Sequence, residues 1–250
     1  MTFGERVRDL ERCFGAFAER DGSVYLPNFM PTGPVDYVFI GMEPSLGAWA
    51  SSLEKATAQI AAGFRNFMWS MEDFILHTSA RHYLCEPGQT YYVTDISKGA
   101  MSVKRANLDR TVRYERWFPL LVQEIDLVAK PGAKVIPVGQ AVAQDLRARG
   151  FARALYPILH YSGQAGRARR AAVAGQEDAF RAFASSVSLD SILAAASITL
   201  RENDVPPSLI DSTLARLRRA RLTESRLRLL FVYKRRFEAI RCPMPSEDAR

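Results

Sequence analysis

The sequence predicts an α/β fold: a three-layer sandwich around a central, largely parallel four-stranded sheet, followed by a C-terminal helical extension. Three observations carry this. Short apolar runs rich in β-branched and aromatic residues alternate with helix-period segments through about residue 186, the pattern of a layered α/β protein. Turn signals separate them. Beyond Leu189 the strand pattern stops and only helical spacing remains.

Four runs read as strands: Val35–Ile40, Tyr91–Ile96, Lys134–Val138 and Ala154–Leu159. Between them, Tyr114–Ala129 has the apolar spacing of a helix (Phe118, Leu121, Val122, Ile125) and is stopped by Pro131-Gly132. Gln140–Arg149 is a second helix, closed by Gly150. Three helices are expected in the tail: about 189–201, one starting near Pro206-Pro207, and one capped by Thr223 or Ser225. In the second, Ile210, Leu214 and Leu217 form an apolar stripe while Arg216, Arg218, Arg219 and Arg221 fill much of the remainder. The chain thus divides into an α/β part, 1–188, and a basic helical part, 189–250.

Hydrophobic residues make up 48% and charged residues 24% of the 250, ordinary values for a globular chain, so disorder is excluded and composition names no activity. No stretch of eighteen apolar residues occurs, and the first residues (Glu5, Arg6, Arg8, Asp9, Glu11, Arg12) are too charged for a signal peptide. No membrane association and a cytoplasmic location are expected. Cys13, Cys85 and Cys242 lie far apart without a CxxC pair, and His77 and His82 have no zinc spacing, so neither a metal nor any other cofactor is expected. The charge is lopsided. Residues 1–150 hold 17 basic and 17 acidic side chains, whereas residues 151–250 hold 17 and 10, so the excess of +7 belongs to the last hundred residues. A polyanionic partner or a solvated basic helix face accounts for that equally well.

Ligands of open α/β sheets sit beyond the carboxyl ends of the strands. Glu43, Asp95, Gly139 and His160 each stand at or just past such an end. "FIGMEPS", "YVTDISKGA", "KVIPVGQAVAQDL" and "ILHYSGQAGRARR" together resemble the uracil-DNA glycosylase superfamily in order and spacing over residues 33–170. The superfamily pattern is G-x-x-P-x after the first strand, an Asn-bearing strand, a strand leading into a G-x-x-A helix, and H-P-S before a DNA-inserting loop. The resemblance implies a fold of that type and a DNA N-glycosylase acting on a flipped-out base.

Position by position, it implies that Glu43 activates the hydrolytic water and His160 stabilises the departing base, with Met42, Ser45, Phe67 and Asp95 around the base. Phe67 is preferred over Phe64 and Trp69 as the stacking ring. Ser162, Gln164, Arg167, Arg169 and Arg170 would meet the DNA. Breaking a C1′–N bond builds positive charge on the sugar and negative charge on the base, so a carboxylate on one side and a donor on the other suit it.

Departures from the pattern shape the expected substrate. Asp95 replaces asparagine, and an ionised carboxylate only accepts hydrogen bonds, which suits the C4 amino group of cytosine rather than the O4 of uracil. Ser45, where uracil-specific members have tyrosine, leaves space for a group on base carbon 5. A modified cytosine, such as the 5-hydroxymethyl or glucosylated cytosine of phage DNA, is therefore the leading substrate, and a role in phage defence is the biological analogy. Uracil or another damaged base, and a non-catalytic nucleic-acid-binding module, are the alternatives. Tyr161 replaces the proline of H-P-S, and Met42 replaces a polar side chain. Lys98 in "DISKGA" is read as structural or phosphate-binding rather than as a Schiff-base nucleophile.

Overall fold

The computed structural model describes residues 1–162 and 165–242. In chain order the elements are α1 (Phe3–Arg20), β1 (Val24–Tyr25), β2 (Val35–Gly41), α2 (Leu53–Ala61), α3 (Met71–Ser79) with a π-helical turn (Ala80–Leu84), β3 (Tyr91–Asp95) and β4 (Gly99–Ala100). There follow α4 (Val103–Leu108), α5 (Arg110–Val128), β5 (Ala129–Pro137), α6 (Gln140–Ala148), α7 (Gly166–Val173), α8 (Glu177–Ser186), α9 (Leu189–Glu202), α10 (Pro207–Arg219) and α11 (Glu224–Arg241).

The main sheet is three-stranded and parallel in the order β3-β2-β5, with β1 and β4 forming a separate antiparallel pair. The expected fourth strand, Ala154–Leu159, is not a strand. It meets β5 only at two isolated parallel bridges, Val135 with Leu155 and Val138 with Ile158. The reason lies in the partner. Tyr156 donates to the Val135 carbonyl (2.9 Å) and Ile158 to that of Pro137 (3.0 Å), but Pro137 has no N–H to donate back, so a continuous ladder cannot form.

Alternation along the strands builds a core on each face. Tyr37 and Phe39 of β2, Val93 of β3 and Ile136 of β5 face one cluster, completed by Phe74 of α3, Ile192 and Leu200 of α9, Ile210 of α10 and Leu229, Tyr233 and Phe237 of α11. Val38, Ile40, Tyr92 and Val135 point the other way, against Val7, Leu10 and Phe14 of α1, Trp117 and Leu121 of α5 and Val142 of α6. A strand buried on both faces reads as one continuous apolar run, which is why β2 is so legible. The helices after Leu189 are therefore the outer layer of one face and share its core with the sheet. Among the described residues no single helix is long and apolar enough to cross a membrane; α8 and α9 pass such a test only as a pair bent by 65°.

Local signals set the boundaries. Thr2 with Glu5, and Ser70 with Asp73, form capping boxes that start α1 and α3. The helix expected at Tyr114–Ala129 begins earlier, at Arg110, and ends at Val128, because β5 already starts at Ala129 and runs through Pro131-Gly132 with a register shift. The three tail helices fall close to where they are expected.

Candidate functional site at the carboxyl edge of the sheet

The ends of β2, β3 and β5 lie side by side, so their following residues share one edge. Gly41 pairs with Asp95, the Ile96 N–H donates to the Gly41 carbonyl, and the Val138 N–H donates to that of Ile40. Gly139 follows at φ +108°, a conformation side chains resist, and donates its N–H to Ile158. A methyl group there would stand 3.3 Å from the His160 Cβ, so the histidine is seated directly against the bare glycine. Gly41 has the same use. A Cβ on it would collide with Asp95 Oδ1.

Glu43 leaves β2 through the Pro44 turn, with its side chain only 7% exposed. Arg110 donates to Oε1 at 2.8 Å, Tyr114 donates its hydroxyl to Oε2, and the buried Arg113 lies 3.9 Å from Oε2. Burial and the Glu43 charge push the Tyr114 phenol far up, so it stays a donor. A carboxylate has about four acceptor positions, and these contacts leave capacity for a water molecule.

Asp95 is 4% exposed and accepts from Asn66 Nδ2 at 2.8 Å. Asn66 also donates to Asn28 (3.1 Å), which donates to Thr94 (3.0 Å) and Tyr92 (3.1 Å). Thr94 and Tyr92 in turn donate to Glu124, whose Oε2 lies 2.6 Å from Lys98 Nζ. A continuous buried polar chain thus runs from α5 to the edge. Burial raises the Asp95 carboxyl to about 7, opposed by the Asn66 bond and the Lys98 charge and reinforced by the charges of Glu43 and Glu124.

This shift has a measurable signature. Between about pH 4 and pH 7 folded Asp95 keeps a proton that the unfolded chain has lost, so stability falls as pH rises, by about 1.4 kcal/mol per unit for this group alone. An Asp95→Asn variant should therefore gain on the wild type across that window in urea midpoints measured against pH. Parallel curves would contradict it.

His160 is half-buried, with its ring stacked on Tyr161 at 4.8 Å. Its Nδ1 accepts from the backbone N–H of Ser162 at 2.9 Å. Burial and the nearby Arg169 charge lower its pKa, so at neutral pH the ring is neutral and carries its proton on Nε2. The edge thus offers a carboxylate, a proton-sharing acid and an imidazole N–H. In the order β3-β2-β5, Asp95 ends an outer strand, Glu43 follows the central one, and His160 sits against the Gly139 that follows the other outer strand, so the three groups leave the same end of the sheet.

Other expected site residues fall elsewhere. Arg169 is corrected: at 3% exposure it faces inward, donating to the Tyr161 and Ser162 carbonyls and to Ser225 Oγ (3.0 Å), because in α7 it lies on the face opposite Arg167 and Arg170. It positions the His160 turn rather than reaching for DNA. Arg167 and Arg170 are exposed, and Gln164 lies outside the described residues. Phe67 is also corrected. Its ring is buried in the core, its backbone is held at φ +57° by Asn66 Oδ1 and by His77 Nε2, and the residue borders a cavity at the other end of the sheet and not the Glu43–His160 edge.

Phe64 is buried as well, stacked against half-buried Trp49 at 4.7 Å, whose Nε1 donates to the Ser45 carbonyl. Trp49, absent from the expected set, thus places an aromatic ring beside exposed Ser45. Met42 packs partly buried against the α1–α5 layer. Lys98, 1% exposed, is held by Glu124, Thr94 and the Asp95 carbonyl, the structural reading. His77 is locked between Tyr91 (2.8 Å) and the Phe67 carbonyl. Among the described residues no three His, Cys, Asp or Glu side chains are placed to hold a metal ion. A cavity of about 810 Å³ opens at the other end of the sheet, by Gly33, Arg81, Thr90 and Glu202, away from Glu43 and His160.

No family model, curated protein or solved structure matches the chain.

Proposed function

We propose that the chain is a monofunctional DNA glycosylase that flips out a modified cytosine and hydrolyses its N-glycosidic bond, leaving an abasic site. The observation that carries this reading is the pairing, on one sheet edge, of a nearly buried Glu43 with a neutral His160 whose Nδ1 is already committed to Ser162. Glu43 directs and deprotonates the attacking water as the C1′–N bond lengthens. The Nε2–H of His160 donates to the base oxygen on which the leaving electron pair collects. A neutral imidazole N–H does this by hydrogen bonding alone: the base leaves as the anion and the proton stays on Nε2. Asp95, fixed by Asn66, accepts from the C4 amino group of the base.

The raised Asp95 carboxyl favours a second reading, excision of uracil-type bases. Once protonated, the acid can donate to O4 while still accepting at its other oxygen. Incubation with duplexes carrying uracil, 5-hydroxymethyluracil, cytosine, 5-hydroxymethylcytosine and glucosylated cytosine, at about pH 6 and about pH 8, separates the two. Release of modified cytosine, strongest at the higher pH, is the expected outcome. Uracil release that grows as the pH falls would favour the second reading. Tight binding with no base released would leave only a binding module. In an Asp95→Asn variant, preference should shift toward uracil, since the amide both donates and accepts at every pH; unchanged preference would remove Asp95 from base reading.

A further inference from the structure

Two acid-free stretches of the chain meet beside the His160 turn. Between Asp145 and Glu177 there are six arginines and no acidic residue, and between Asp211 and Glu224 there are four arginines and none. The first stretch contains α7 and the second ends α10. Arg169 of α7 reaches Ser225 in the first turn of α11, and Arg226, one residue on, donates to the Arg221 carbonyl at 2.6 Å. The α10–α11 turn is therefore packed next to α7.

Pairing decides which charges remain. Arg226 is held by Glu72 (2.8 Å), and Arg228 by Glu224, so both of these acids already have a partner. Arg216 lies over the Trp69 ring at 3.8 Å and donates to the Met68 and Trp69 carbonyls. Arg169 is buried on backbone oxygens. What the surface keeps in excess is Arg167, Arg170, Arg218, Arg219 and Arg221, all exposed. Fork-shaped donors at and just past the end of α10, in a stretch with no acid between Asp211 and Glu224, suit phosphate oxygens rather than a mixed-charge protein surface.

We infer that the α10–α11 turn, through Arg218, Arg219 and Arg221, is an accessory phosphate-binding surface that grips the duplex backbone on the His160 side. The inference rests on the nucleic-acid reading of the sheet edge only for its choice of polyanion. It makes the helical tail part of the DNA footprint and not merely the cover of one core.

Replacing Arg218, Arg219 and Arg221 together by glutamine tests it, with binding to an unmodified duplex of about 20 base pairs followed over a salt series. Each phosphate contact contributes roughly 0.9 to the slope of log K against log salt, so the slope should fall by about two to three, and affinity near 0.1 M salt by roughly 10²-fold. The control replaces Arg6, Arg8 and Arg12 of α1, on the opposite face of the sheet, which removes the same charge and should leave the slope in place. Equal losses in both triple variants would mean a general charge effect, and no loss in either would mean that the turn touches no phosphate. Both outcomes overturn the assignment. The readout uses no excised base, so it stands or falls separately from the glycosylase reading.

Discussion

Replacing Lys98 by methionine is expected to destabilise the protein by about 3–5 kcal/mol, because it strands a buried carboxylate. Glu124 is 0% exposed and Lys98 1% exposed, with 2.6 Å between ammonium and carboxylate. Taking two charges out of water costs several kcal/mol per ion, and mutual attraction with surrounding hydrogen bonds offsets that only while both partners stay. Tyr92 and Thr94 would still donate to Glu124 after the substitution, but no positive charge would remain beside it. Urea unfolding measures the loss. The double variant Lys98→Met with Glu124→Gln should recover a large part of it, since the orphaned charge goes too. A single variant within about 1 kcal/mol of wild type would show that the pair is not what anchors α5 to β3.

The second large effect concerns chemistry. Glu43→Gln and His160→Ala should each lower single-turnover base release by roughly 10²-fold or more, the scale of lost general-base or oxyanion help. The glutamine keeps the shape of the side chain and still accepts from Arg110 or Tyr114, so folding should survive. His160→Gln separates donor from packing: an amide N–H restores part of the rate if donation is what matters. Because Glu43 also anchors Arg110 and Tyr114 of α5, the unfolding midpoint must be read alongside the rate. Activity lost in step with stability would make Glu43 an anchor rather than a base, and full activity in both variants would remove the mechanism.

The sheet edge was largely legible because the signals lie within single segments. Val35–Gly41 is apolar along its whole length, and Glu43, Asp95 and His160 each announce themselves by following an apolar run directly. What was not legible depends on partners far away in sequence. Arg110 and Tyr114 stand 67 and 71 positions from Glu43, and Asn66 stands 29 from Asp95; nothing in their own neighbourhoods marks them out. The run Ala154–Leu159 has the residues of a strand, yet whether it joins the sheet is decided across the gap, by a proline in β5. Arg169 was readable in principle: once 166–173 is taken as a helix, 167 and 170 share a face that 169 does not. Phe67 looked like a ring waiting for a base because aromatic type says nothing about which way a left-handed backbone turns it.

Arg169 also changes what the C-terminal end means. One guanidinium fastens the backbone just after His160 to the opening turn of α11, so the imidazole's footing depends on chain laid down some sixty residues later. Clipping the polypeptide ahead of Ser225 would not yield a slimmer version of the proposed glycosylase. It would uncover a greasy flank of the sheet and untie the very loop that aims the ring, leaving a fragment prone to clump and chemically idle.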